Sequence, residues 1–291
     1  MKKMNRRKFI GVAAKTIGAT VALSYFPSAV FSAISSQSKL LDLPIGFQTF
    51  PIRNILAKDF PGTLKMMADM GYKLTEMCSP KGYAEIGFGF LKEMKPADIK
   101  KTINDAGLVC PSCHYGFGEL TPEKLDASIE FAQQLGLSQM ICSTFWLPKT
   151  STLNDYYAAA DKLNKAAEKI KSAGMQTGFH NHEFEFTQLE GQLIYDALMG
   201  RFDGNLIKMQ FQTEVINLGY KASTYFNKYP GRFISSHLSD WTADKKEVPV
   251  GQGVIDWKEF FAAAKTGGVK NFFVEMDMDK FKDSATYIHG L

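Results

Sequence analysis

The sequence predicts a (β/α)₈ barrel. Eight apolar, β-rich segments alternate with amphipathic segments of helical periodicity. The β-rich segments begin roughly every 30 residues, which is the length of one β-α unit. Polar residues capable of chemistry stand at the carboxyl ends of most of these segments. The chain has 291 residues, of which 45% are hydrophobic, and this is enough for one such barrel with a single large core.

The first 35 residues are typical of an export signal. Basic residues, including Arg6 and Arg7, precede a moderately apolar stretch and then small residues. The paired arginines resemble a twin-arginine export signal. We therefore expect residues 1–35 to be removed, residues 40–291 to form the barrel, and the mature protein to be periplasmic. The alternative is a retained membrane anchor, but the apolar stretch is weak for a spanning helix.

The predicted strands are short apolar runs that are rich in β-branched and aromatic residues. In chain order they span 43–50, 72–79, 107–115, 138–146, 175–182, 206–213, 232–241 and 271–278.

The helices between these strands carry recognisable termini. Thr121 is placed as an N-cap, and Pro122 follows at the first helical position. The longest predicted helix ends at Gly174. Asp256 follows a Gly-Gln-Gly turn and is predicted to cap the next helix.

The main alternative fold is an open doubly wound sheet. That fold carries a Gly-rich phosphate-binding turn after its first strand, and the corresponding segment here, QTFPIRN, contains no glycine. A long aromatic loop, residues 80–94, follows the second predicted strand instead. We expect this loop to form a lid over the barrel mouth.

Net charge and cysteine usage exclude two further classes of protein. The formal net charge of +4 comes largely from the first few residues, so no basic surface for nucleic acid is indicated. Cys110 and Cys113 have C-x-x-C spacing, but within a strand their sulfurs would point to opposite faces. We therefore predict buried structural cysteines and not a redox pair.

Histidines and carboxylates gather where barrel enzymes keep their active sites, at the carboxyl ends of the strands. Four of the five histidines lie there. Such ligands, converging from different strands, suit Zn²⁺, Mn²⁺, Co²⁺ or Fe²⁺. A single histidine is more often an ordinary hydrogen-bonded residue, and it is the set that predicts a divalent-metal site. The metal-predicting set is the strand-end histidines with Glu275. From strand two to strand eight, the polar residues at the strand ends are Glu76, His114, His180, His182, Gln210, Gln212, His237, Asp240, Glu275 and Asp277.

Several runs of the sequence resemble the xylose-isomerase-like barrels, the group of sugar phosphate isomerases and epimerases. They are GYKLTEM, GFHNHEFEF, KYPGRFISSHLSD, VPVGQGVIDWKEFF and FVEMD. The resemblance covers almost all of the mature chain. It implies a metal held by a carboxylate from strand five, an Asp from strand six, a His from strand seven and a Glu from strand eight.

Carried over to this sequence, the family's ligand positions hold His180, Gln212, His237 and Glu275. His180 replaces the Glu of an E-N-H run, and Gln212 replaces the Asp of an E-L-D run. Two anionic ligands thus become neutral, which disfavours Mg²⁺ and favours Co²⁺, Zn²⁺ or Fe²⁺. Because carboxylate ligands are lost, the bound metal would keep more positive charge. It would therefore be a stronger Lewis acid toward a sugar carbonyl or an enediolate oxygen. The alternative is a degenerate site that binds sugar without turnover.

The favoured function is an enzyme that acts on an unphosphorylated sugar. The protein is expected to be exported, and cells retain phosphorylated sugars inside the inner membrane. A base would remove the proton next to a carbonyl, and the metal would stabilise the enediolate. The candidates for base and acid are Glu76, His114 and His182. The candidate sugar contacts are Gln48, Trp146 and Asp240.

Other functions stay open at this point. The enolate can be reprotonated, which gives isomerisation or epimerisation, or it can expel a β-leaving group, as in lyases of the superfamily that cleave 3-keto-glycosides. A non-catalytic carbohydrate-binding barrel is the alternative from another class. The export signal and the lack of a basic surface disfavour a DNA-repair enzyme. We expect a small sugar as partner, no nucleic acid and no membrane span in the mature form. The sequence leaves the oligomeric state open.

Overall fold

The computed structural model describes residue 41 and residues 43–291, so the predicted export signal lies outside the described part. Parallel strands form a closed barrel in which each strand pairs with its neighbours in chain order, and the last strand closes against the first. The predicted (β/α)₈ fold is confirmed. The strands are β1 (Ile45–Gln48), β2 (Leu74–Cys78), β3 (Val109–Tyr115), β4 (Gln139–Cys142), β5 (Gln176–His180), β6 (Ile207–Gln212), β7 (Phe233–Leu238) and β8 (Asn271–Val274).

A helix follows each strand before the next begins. None of the described helices is both long and apolar enough to cross a membrane. Short 3₁₀ turns and two small hairpins lie at the carboxyl end of the barrel. The main helices are α1 (Phe60–Asp69), α2 (Pro96–Asp105), α3 (Leu125–Leu135), α4 (Leu153–Ser172), α5 (Ile194–Arg201), α6 (Ala222–Lys228), α7 (Trp257–Gly267) and α8 (Phe281–His289).

Side-chain caps set several helix starts. Asp256 accepts a hydrogen bond from the Glu259 amide at 3.0 Å, so its predicted capping role is confirmed. The predicted cap at Thr121 is wrong. Residues 122–124 form a turn, Lys124 is the N-cap, and α3 begins at Leu125. The Thr121 hydroxyl instead donates to the carbonyl of Gly118.

Alternation along the strands separates the core from the site. Phe179 of β5 is fully buried and packs on the outer side of the barrel against Phe145 and Phe202. His180, the next residue, therefore faces the barrel interior. Burial of one such aromatic side chain stabilises the fold by about 1.5–3 kcal/mol. The strand register then sets polar side chains side by side at the mouth, with Gln48 next to Glu76 and Gln212 next to His237.

Two further predictions concern packing near the mouth. All four cysteines are buried, as predicted. The aromatic loop 80–94 packs down beside the second strand, where Tyr83 and Phe88 bury themselves against Cys78, with Phe50 alongside. The loop therefore packs against the barrel rim near β1 and β2. It contains two short 3₁₀ turns.

Candidate active site

Glu76 is the centre of the polar network inside the barrel, and its side chain is fully buried. Oε1 accepts hydrogen bonds from the Ser112 hydroxyl at 2.5 Å and from Gln210 Nε2 at 2.8 Å. Oε2 accepts from Gln48 Nε2 at 2.9 Å and contacts His237 Nε2 at 2.5 Å. Both carboxylate oxygens are therefore saturated by the protein.

The charge state of Glu76 follows from its neighbours. Burial by itself raises the pKa of this carboxyl, but the charges and hydrogen bonds of His114 and His237 outweigh burial and hold it well below its usual range. His114 Nε2 lies 3.2 Å from Oε2. Glu76 is therefore an anion that is ill suited to take up a proton. Glu76 contacts two histidines through Oε2, and its expected role as a base stays a prediction.

His237 lies between two carboxylates. Its Nε2 contacts Glu76, and its Nδ1 lies 2.7 Å from Oε2 of Glu275. Burial lowers the pKa of His237, but the charges and hydrogen bonds of Glu275 and Glu76 outweigh burial and raise it to about 10. Both ring nitrogens face carboxylate oxygens, an arrangement that favours the imidazolium form.

Glu275 links His237 to Gln212. Gln212 Nε2 donates to the same Glu275 oxygen at 2.7 Å, while Gln212 Oε1 is buried without a hydrogen-bond partner. Burial raises the pKa of Glu275, but attraction to His237 outweighs it and lowers the pKa below its usual value. Two of the four predicted ligands, His237 and Gln212, thus converge on one oxygen of a third, Glu275.

His180, the fourth predicted ligand, joins a triad of buried histidines. One ligand atom from each of His114, His180 and His237 lies within 4.8 Å of the others. His180 Nδ1 is buried without a partner. Burial, and then the charge of His237, hold the pKa of His180 well below its usual value, so the ring is neutral and able to bind a cation. The structure adds His114 to the residues that could hold a metal.

His182 extends the cluster toward solvent. Its ring centroid lies 4.8 Å from that of His180 and 5.3 Å from that of Trp146. Burial lowers the pKa of His182 to about 4, and the charge of Glu275 opposes that effect. Nδ1 has no hydrogen-bond partner. His182 is therefore a neutral imidazole with a free nitrogen at the edge of the site.

Glu185 fixes the backbone that carries His182. Its fully buried carboxyl accepts from the His182 amide at 2.7 Å and from the Thr144 hydroxyl at 2.7 Å. Burial raises the pKa of Glu185 to about 8, although both hydrogen bonds act in the opposite direction. Glu185 therefore ties the loop after β5 to the loop after β4.

Two of the predicted sugar contacts are structural residues. The side chains of Gln48 and Asp240 are fully buried. Gln48 braces Glu76 and accepts a hydrogen bond from the Phe50 amide. Asp240 accepts from the amides of Gly251 and Gly253 and from the Trp257 ring nitrogen, so it shapes the predicted Gly-Gln-Gly turn. The structure gives both residues structural contacts in place of the expected sugar contacts.

Sequence reasoning did not predict which residues donate hydrogen bonds to Glu76. Gln210 donates to Glu76 and to Ser235, and its Oε1 contacts His114 Nε2 at 2.6 Å. Ser112 donates to the other side of the network. The available signal was strand alternation, since Gln210 and Gln212 share one face of β6.

The family of the chain follows from a sequence model that matches residues 64–289, described as xylose isomerase-like TIM barrel. The chain belongs to this family. In enzymes with this barrel fold, the active site lies at the carboxyl ends of the strands. None of the curated proteins matches the chain.

Solved structures support the same fold. A sugar phosphate isomerase/epimerase from Parabacteroides distasonis has a TM-score of 0.71 and 24% identity, over 90% of this chain and 97% of that one. An L-ribulose 3-epimerase has a TM-score of 0.61 and 16% identity, over 85% and 93%. The IOLI protein, whose structure contains a zinc atom, has a TM-score of 0.62 and 13% identity, over 84% and 94%.

The residues of this family member fit a divalent metal. Two buried atoms able to bind a cation, His180 Nδ1 and Gln212 Oε1, have no partner in the protein. His237 and Glu275 supply an imidazole and a carboxylate beside them. A donor set rich in imidazole favours Zn²⁺, Co²⁺ or Fe²⁺ over Mg²⁺.

Proposed function

We propose that the protein is a divalent-metal-dependent enzyme that removes the proton next to a carbonyl of an unphosphorylated sugar, in a reaction of the isomerase or epimerase type. The observation that carries this proposal is the convergence of His180, His237 and Glu275, with buried donor atoms that lack partners. Similar structures include a sugar phosphate isomerase/epimerase and an L-ribulose 3-epimerase, which supports the same class of chemistry.

The metal would be held by His180, Gln212, His237 and Glu275, with His114 within reach of the same point. When bound, it would supply a positive charge that stabilises the oxyanion formed as the proton leaves. Because His237 carries two protons in the network, binding must release at least one of them.

The protein's own residues would divide the remaining work. His182, neutral and with a free Nδ1, would accept the proton from carbon and return it. Glu76 would hold the rings of His114 and His237 in place through Oε2. The buried network around Glu76 is already ordered, so it needs no rearrangement during the reaction.

The second candidate function is β-elimination, which begins with the same removal of a proton next to the carbonyl. A lyase acting on a 3-keto-glycoside needs room for a leaving group next to the site. The exposed ring of Trp146, beyond His182, favours such a substrate. The predicted export of the chain to the periplasm is part of this proposal, because unphosphorylated glycosides are met outside the inner membrane.

Exchange of hydrogen with solvent tests the shared chemistry. Keto-sugars and 3-keto-glycosides would be incubated in D₂O with the protein and Co²⁺, Zn²⁺, Mn²⁺ or Fe²⁺. We expect NMR to show deuterium next to the carbonyl, and we expect its loss in His182→Gln and His237→Gln. His289→Gln, in α8 away from the site, is the matched control. Wild-type protein that exchanges no hydrogen with any substrate or metal would refute the proposed enzyme.

A further inference from the structure

A cavity lies between the loop after β4 and the loop after β5, on the side of the site that Trp146 faces. Its volume is about 410 Å³, within the range of small-molecule sites. Its walls are mainly apolar and aromatic, with a few polar groups at the edge. They include Trp146, Pro148, Lys149, Tyr156, Phe184 and Gln188.

Two of the cavity's lining side chains, Trp146 and Phe184, also contact His182 of the candidate active site. The His182 ring stacks on Phe184, with centroids 5.4 Å apart and an angle of 4° between planes. Trp146 contacts both rings, at 5.3 Å and 5.7 Å. Because Trp146 and Phe184 also line the cavity, one aromatic surface leads from His182 into it.

The exposure of Trp146 is unusual for a residue built into the rim. The side chain is 65% exposed, although Trp is among the most apolar surfaces a protein can bury. Its backbone is in the left-handed region at φ 51°, and Thr144, two residues earlier, has φ 154°. A bulky residue in that region is strained, and such strain is typical of sites that position a side chain for function.

We propose that Trp146, Phe184 and the adjoining cavity bind the leaving group of a glycoside whose keto-sugar occupies the histidine site. This inference rests on the second candidate of the proposed function, elimination, and assigns the place of its leaving group. A flat ring with an apolar face, joined through a glycosidic bond, matches the aromatic walls. Lys149 and Gln188 supply hydrogen-bonding groups at the edge of the cavity.

The occupant follows from the arrangement of the rings. The centroids of His180, His182 and Trp146 follow one another at 4.8 and 5.3 Å. A sugar bound at the histidines therefore has Trp146 beyond His182, where the next ring of a glycoside would stand. This second surface favours a glycoside over a monosaccharide as the substrate.

Binding of unreacted sugars tests the subsite without requiring turnover. Cellobiose, phenyl β-glucoside and glucose would be titrated by calorimetry into wild type, Trp146→Ala, Trp146→Phe and the control Val109→Ala. Val109 is 57% exposed and lies at the opposite end of the barrel, at the start of β3. Comparison of the two glycosides shows whether a sugar or an aromatic ring is the preferred leaving group.

We expect one or both glycosides to bind wild type about tenfold more tightly than glucose, and Trp146→Ala to remove that advantage. Trp146→Phe should retain part of it, and Val109→Ala all of it. Equal affinity for glucose and both glycosides, equal weakening of all three in Trp146→Ala, or no binding of either glycoside would overturn the subsite.

Metal content, measured on the same samples, separates this test from that of the proposed function. A metal-loaded protein without glycoside preference refutes the subsite and leaves the sugar enzyme standing. A metal-free protein that keeps the Trp146-dependent preference supports the subsite and refutes the metal enzyme.

Discussion

Nε2 of His237 lies 2.5 Å from Oε2 of Glu76, inside the barrel, where neither side chain is exposed. The other nitrogen of the same ring contacts Glu275 at 2.7 Å. One histidine thus joins the buried anion on β2 to the candidate ligand that follows β8.

The charge of His237 should be visible in the metal-free protein. After removal of metal with a chelator, we expect His237 to titrate near pH 10 and His182 near pH 4. Histidine-selective NMR over pH 4 to 11 would assign both transitions by comparison with His237→Gln and His182→Gln. A metal-free His237 that titrates near 6.5 would contradict the proposed pairing with two carboxylates.

Stability of the metal-free protein should depend on pH through the same residue. The folded pKa of His237, about 10, exceeds the ordinary value of 6.5. Its contribution to the free energy of unfolding is therefore fully present below pH 6.5 and is lost as pH rises through 10. Urea unfolding at pH 6.5, 8 and 10 should show this loss in wild type. A difference between wild type and His237→Gln that stays constant over this range would contradict the linkage.

Removal of the buried Glu76 carboxylate should lower the free energy of unfolding. Glu76→Ala leaves the His237 imidazolium without one partner and leaves Gln48, Ser112 and Gln210 with unpaired donors. We expect a loss of about 3–5 kcal/mol in the free energy of unfolding. Glu76→Gln keeps the shape and should lose less. Urea denaturation measures both, and a loss below about 1 kcal/mol for Glu76→Ala would show that the network is not important for stability.

A restored anionic ligand should change the metal preference. Gln212→Asp sets a second carboxylate beside Glu275, where the Gln212 amide now donates at 2.7 Å. Like charges should destabilise the metal-free variant, and a hard cation should stabilise it more than wild type. Thermal unfolding with and without Mn²⁺ and Zn²⁺ measures this, with Gln212→Asn as the neutral control. Identical responses of the Asp and Asn variants would contradict the ligand position of Gln212.

The strain at Trp146 can be isolated by two small substitutions. Trp146→Ala and Trp146→Gly remove the same ring contacts, but only glycine adopts φ 51° without steric cost. We expect the glycine variant to be more stable by about 1 kcal/mol. Thermal unfolding of the pair provides the comparison. An alanine variant as stable as the glycine variant would show that the position carries no strain.

The sequence was sufficient to predict the strands and the ends that carry chemistry. Periodicity and spacing identified all the barrel strands because each strand is a local apolar run. The predicted strand ends placed His180 and His182 at the carboxyl end of the barrel, and β5 does end at His180. The start of α3 was missed because Pro122 opens a turn there, and a cap-like sequence alone does not distinguish a turn from a helix.

The roles of the site residues were harder to predict because they depend on contacts between distant strands. Glu76 was expected to act as a base, yet the five side chains that surround it come from β1, β3, β6 and β7. Asp240 was expected to contact sugar, but it is saturated by a loop more than ten residues further along the chain. Saturation of a carboxylate is a three-dimensional property that residue type and spacing do not specify.

Metal content is the most direct test of the central claim, which is that the histidines and Glu275 form a metal site. The mature protein would be purified without a His-tag, beside His237→Ala, His180→Ala and the control His289→Ala, and analysed by mass spectrometry. We expect one equivalent of a first-row metal in wild type and in the control His289→Ala. We expect that metal to be lost in His237→Ala and in His180→Ala. Wild-type protein that holds no metal, even after incubation with Co²⁺, Mn²⁺, Zn²⁺ and Fe²⁺, would contradict the account and favour a carbohydrate-binding barrel.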